Sequence, residues 1–96
     1  MSDEERPAEG GIEIKIDDEE LKGRYSNLLR ITHTREEFIL DFIQMVPPQG
    51  VVTSRVVTSP GHLKRIVRAL AANLTRYEES FGTIAEADEP PQRGVN

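Results

Sequence analysis

Ile12-Glu13-Ile14-Lys15-Ile16 alternates apolar and charged side chains at period two, the pattern of a strand with one buried face. Its three β-branched residues favour the extended backbone. The acids Asp17 to Glu20 then lead through Leu21 to Gly23, which predicts a turn or one helical turn with a glycine stop. A second strand pattern runs from Tyr25 to Thr32. After His33 to Glu37, a link short enough for a hairpin, a third covers Phe38 to Val46. That third segment also fits a helix, because Thr34 and Glu37 have capping-box spacing and Phe38, Phe42 and Val46 recur every four residues. The strand is preferred: the segment is rich in Phe and Ile, and another strand pattern, Val51 to Thr58, follows across Pro47-Pro48-Gln49-Gly50.

The last element is a helix. Ser59 suits the N-cap, Pro60 the first helical position and Gly82 the position just past the end. Between them Leu63, Val67, Leu70, Leu74, Tyr77 and Phe81 recur at helical spacing, with Ile66 widening the stripe, and Lys64, Arg65, Arg68 and Arg76 occupy the other side. These elements predict an α+β fold: a four-stranded antiparallel meander followed by one long C-terminal amphipathic helix.

Strand alternation sorts the side chains into two faces. Tyr25, Leu29, Ile31, Phe38, Leu40, Phe42, Val46, Val51 and Val57 are expected on the face that meets the helix. The other face carries Leu28, Ile39, Ile43, Met45, Val52 and Val56 mixed with Arg30, Thr32, Asp41 and Ser54. One helix cannot cover both. A core of this size buries only about 60% of its unfolded surface, and the uncovered aliphatic side chains exceed the patch a monomer normally exposes. A homodimer or tetramer is therefore expected, with Ile39, Ile43, Met45, Val52 and Val56 at the interface between sheets or against a partner protein.

Charge adds the limits of the folded unit. The chain holds 12 Lys and Arg against 17 Asp and Glu, and the excess of acid lies at its ends, so residues 11–82 are balanced. Residues 1–10 and 83–96 read as disordered tails around a single domain at 11–82. No apolar run is long enough for a membrane span and the N-terminus is acidic where a signal peptide is basic, which points to the cytoplasm.

Candidate chemistry is sparse. With no cysteine there is no thiolate nucleophile or thiolate zinc site. His33 and His62 lack metal-ligand spacing and suit a turn and a helix start. Asp17 to Glu20 lack the calcium-loop pattern, and no serine elbow or phosphate-binding glycine loop is present. Asp41 can pair with Arg30 across the hairpin, and Asn27 can bond the turn before it. No metal, organic cofactor or enzymatic activity is expected. The alternative to protein binding is a nucleic-acid surface formed by Lys64, Arg65, Arg68 and Arg76, with Arg55. Against it stand the balanced core, the acidic ends and the lack of a stacking aromatic on the helix's polar side.

Tyr25-Ser26-Asn27, the stretch Thr34 to Phe42, the strand Ser54-Arg55-Val56-Val57 and the helix start Thr58-Ser59-Pro60 with His62 and Lys64-Arg65 together resemble a bacterial family of short proteins catalogued as a domain of unknown function. The resemblance covers about residues 11–82. It supports the fold and implies no activity. Four strands followed by a long helix are also similar to the SecB export chaperone, at the level of topology. The functional expectation is a non-catalytic bacterial interaction or adaptor module of chaperone-like type.

Overall fold

The computed structural model describes residues 3–9 and 11–90, and its chain runs β1 (Asp3–Glu9), β2 (Ile12–Asp17), α1 (Asp18–Leu21), β3 (Leu28–His33), β4 (Phe38–Val46), β5 (Gln49–Thr58) and α2 (Pro60–Phe81). The fold is α+β with antiparallel pairing throughout, but the strands divide differently from the expected meander. β3, β4 and β5 form a three-stranded sheet in that order, while β2 pairs with β1 in a separate two-stranded ribbon. The reason lies in Asp3–Glu9: acid-rich composition pointed to a tail, yet this segment supplies β2 with its partner, and Gly11 at φ 82° falls between the two strands. Residues 82–90 adopt no regular secondary structure, and the rest of the expected C-terminal tail, 91–96, lies outside the described residues.

Phe38–Val46 is a strand, the central one, and every buried side chain among the described residues belongs to it: Leu40, Asp41, Ile43 and Met45. The helix-like spacing around Thr34 has a local cause. Its hydroxyl accepts from the N–H groups of Glu36 and Glu37, both at 3.2 Å, as an N-cap would. The Thr34 N–H then donates to the Glu37 carbonyl at 2.9 Å and closes a hairpin instead.

β4 and β5 meet through the two-residue link Pro47-Pro48, whose peptide is cis. Their register contains one irregularity: Phe42 faces Ser54 while Ile43 faces Val52, so Thr53 is an extra residue. This bulge moves every later residue of β5 to the opposite face. Ser54 and Val56 therefore share a face with Phe42 and Leu40, and Val57 joins Ile39, correcting the faces expected from strict alternation. The Thr53 hydroxyl donates to the Phe42 carbonyl at 3.0 Å and lies 3.4 Å from the Tyr25 carbonyl, so the bulge satisfies itself locally.

Tyr25-Ser26-Asn27 precedes β3 rather than extending it. The Asn27 amide takes the place of a further strand residue: Nδ2 donates to the Met45 carbonyl at 3.0 Å and Oδ1 accepts from the Met45 N–H at 2.8 Å. Its backbone N–H bonds Ile43 O at 3.0 Å. Asn27 thus continues the ladder along β4 instead of bonding the turn before it. Met45 lies over Gly50, where a Cβ would stand 2.7 Å from the Met45 methyl. A side chain at this position would make the flexible end of Met45 move aside.

Candidate functional site

The sheet presents two unlike faces. One carries Leu29 and Ile31 of β3, Phe38, Leu40 and Phe42 of β4, and Val56 of β5, with no charged residue in its three strands. His33 closes one end of this face, its ring 5.0 Å from that of Phe38. We refer to it as the apolar face. On the other, Arg30, Asp41 and Arg55 stand in one cross-strand row, between the Leu28–Ile43–Val52 row and the Thr32–Ile39–Val57 row.

In that charged row the chief partner of Asp41 is Arg55, not Arg30. Arg55 donates through Nε to Oδ1 at 2.6 Å and through a terminal nitrogen to Oδ2 at 2.9 Å, the two-pronged geometry that suits guanidinium and carboxylate. Arg30 lies 4.0 Å away on the other flank. Asp41 is shielded by these two arginines, whose own side chains are about half exposed. The Arg55 hydrogen bonds hold the Asp41 carboxyl below its ordinary pKa, against the opposing effect of burial, with the charges of Arg55 and Arg30 adding to the lowering. Because the folded value lies below the unfolded one, near pH 3.9, this row stabilises the sheet fully above that pH and loses its contribution as pH falls through the folded value. Thermal melts from neutral to acid pH are expected to drop along this limb, and Asp41→Asn should flatten it. An unchanged acid limb in Asp41→Asn would remove Asp41 from the account.

α2 begins as its sequence indicates. The Ser59 hydroxyl accepts from the His62 N–H at 3.1 Å, Pro60 occupies the first turn, and Gly82 ends the helix at φ 95°. Its apolar stripe does not meet the sheet as expected. Leu63 and Ile66 are half buried, but Val67, Leu70, Leu74, Tyr77 and Phe81 are each at least half exposed, Leu70 at 66% and Phe81 at 76%. The joint explains this. Only Ser59 separates β5 from α2, and it is extended at φ −78° and ψ 156°, as a residue before proline must be. Helices that fold back on a sheet normally use links of about two to six residues.

The exposed area is correspondingly large. The chain presents 8310 Å² to solvent, whereas a compact monomer of this mass presents about 5,500 Å². Its radius of gyration is 16.4 Å, against about 13 Å for a compact chain of similar length.

The residues expected at an interface are scattered by this arrangement. Ile43 and Met45 are already buried within one chain, Ile39 is half buried, and Val52 is exposed on the charged-row face. Val56 lies on the apolar face because of the bulge. Lys64, Arg65 and Arg68 gather on the first turns of α2, where a shallow depression runs beside His62, Arg65 and Arg68. Arg76 stands about 12 Å further along the axis, on the same helix as Glu78 and Glu79. Among the described residues no three His, Asp or Glu side chains gather where they could hold a metal ion, and no helix is long and apolar enough to cross a membrane.

The alternation rules of the sequence brought Leu29, Ile31, Phe38, Leu40 and Phe42 together on this face and misplaced only Ser54, Val56 and Val57 of β5, because the Thr53 bulge has no composition signal of its own. The Tyr25–Asn27 motif and the Thr34–Phe42 stretch, which carry the family resemblance, build the ladder end and the hairpin beneath that face. No curated protein and no solved structure matches the chain. A family model described as "protein of unknown function (DUF3467)" matches residues 1–86, and the chain belongs to that family.

Proposed function

We propose that this chain is a non-catalytic, homo-oligomeric interaction module of adaptor or chaperone-like type, whose open apolar surface joins copies of the chain and, at rows outside that contact, receives segments of other proteins. The observation that carries this reading is the stripe of α2, from Val67 to Phe81, left exposed beside a sheet face that is itself apolar. Exposed apolar surface on this scale marks protein-binding surfaces. Ile12 and Ile14 of β2, exposed at 67% and 48%, add a second apolar row.

The test is suppression of aggregation of a chemically unfolded model protein, run beside binding of a labelled single-stranded oligonucleotide. Suppression by the wild-type chain that persists at high salt is the expected result. Oligonucleotide binding that falls steeply with salt, is weakened by Arg68→Glu and occurs without any suppression would overturn this reading in favour of the basic patch at Lys64, Arg65 and Arg68.

A further inference from the structure

From the two uncovered surfaces we infer that the occupant of the apolar sheet face is helix α2 of a second copy of this chain, exchanged reciprocally about a twofold axis. The inference rests on the reading of the chain as a homo-oligomeric module and names the surfaces that join its copies.

Dimensions support the match. The stripe from Leu63 to Phe81 is about 27 Å long at helical rise, and the nine residues of β4 extend about 30 Å. A helix about 10–12 Å across spans three strands spaced about 4.8 Å apart. Chemistry agrees as well: Leu29, Ile31, Phe42 and Val56 form a face without charge, and the helix offers a stripe without charge. The opposite face would set the Arg30–Asp41–Arg55 row beneath that stripe, leaving polar groups desolvated.

The helix does not cover its own sheet: α2 makes no extended packing with β3, β4 or β5. It follows β5 across the single extended residue Ser59, which is held by its cap on His62 and by Pro60. A second copy carries the same apolar face without that constraint, and reciprocal exchange satisfies both copies at once through one self-complementary interface. Both surfaces are open in the single chain: Leu29, Ile31 and Val56 are 41–49% exposed, and Val67, Leu70, Leu74, Tyr77 and Phe81 are 50–76% exposed. Ile12, Ile14, Val52 and Val57 remain outside this interface and free for a partner protein.

The absence of native cysteine makes the arrangement directly testable. Full-length chains carrying Ile31→Cys and, separately, Leu70→Cys are mixed by unfolding and refolding, then treated with a short bis-maleimide linker. Sedimentation of the unsubstituted protein runs alongside. The expected result is a species of twice the 10.8 kDa chain mass, cross-linked between one Ile31→Cys chain and one Leu70→Cys chain, with the unsubstituted protein sedimenting as an even-numbered oligomer. Preferential cross-linking of Leu70→Cys chains to each other would establish a helix–helix seam and overturn the inference. A monomeric unsubstituted protein would overturn it as well, as would intramolecular cross-linking in a chain carrying both substitutions. A cross-linked dimer that suppresses no aggregation would sink the binding function and leave the exchange standing.

Discussion

Ile43→Asp is expected to unfold the chain rather than only to separate its copies. Ile43 is 4% exposed within a single chain, on the central strand, and faces Leu28 on one side and Val52 on the other. A carboxylate there has no cation of its own, because Arg55 and Arg30 are already committed to Asp41, two positions along the same face. An unpaired buried charge costs several kcal/mol, a large part of the roughly 5–15 kcal/mol that holds a small domain together. Leu40, Ile43 and Met45 are the whole buried apolar set among the described residues, so little else can take up the loss. Circular dichroism should show loss of the sheet signal and of cooperative melting at neutral pH. A folded, cooperatively melting Ile43→Asp chain would mean that the sheet tolerates a charge at its centre and that β4 is not the core.

Local chemistry made some elements legible and long-range pairing hid others. α2 announces both its ends through Ser59, Pro60 and Gly82, and the 3.6-residue spacing of its stripe leaves one reading. β4 was readable as a strand only from its neighbours, since Thr34 makes the hydrogen bonds of a helix cap in a chain that turns into a hairpin. β1 carries acids and a proline that argue against a strand, and its existence rests on a partner, β2, whose own pattern says nothing about which strand it will pair with.

The interface set suffered from two features that no residue type signals. Thr53 is an ordinary strand residue, yet as the bulge it transfers Val56 to one face and Val57 to the other. Gly50 reads as part of a turn, yet the end of the Met45 side chain occupies the space beside it that a Cβ would take. Both effects depend on which residues stand opposite one another, a property of the pairing and not of either strand alone. Asn27 is the converse case. Its polar side chain inside an apolar pattern was visible, and its role as a stand-in strand residue for Met45 follows once the register is known.

Leu70→Asp is expected to divide the assembly while leaving each chain's sheet intact, the opposite outcome to Ile43→Asp. Leu70 sits at the middle of the α2 stripe and is 66% exposed in its own chain, so a single copy has little to lose from the change. In the exchanged dimer the same side chain lies against the partner's apolar face. Its burial there contributes about 1.5–3 kcal/mol, and the symmetric interface loses that contribution twice. The aspartate adds the cost of desolvating a carboxylate against a face that offers no cation. A loss of 2.7 kcal/mol alone is about a hundredfold in Kd, so the dissociation constant should rise by at least that factor. Arg76→Asp, on the polar side of the same helix, reverses a charge without touching the stripe and should leave the Kd within a few-fold of the wild type. Sedimentation of the three proteins over a dilution series reads the difference directly. Equal weakening by Leu70→Asp and Arg76→Asp would show that net charge, and not the stripe, governs association. No weakening by Leu70→Asp would place the interface elsewhere on the chain.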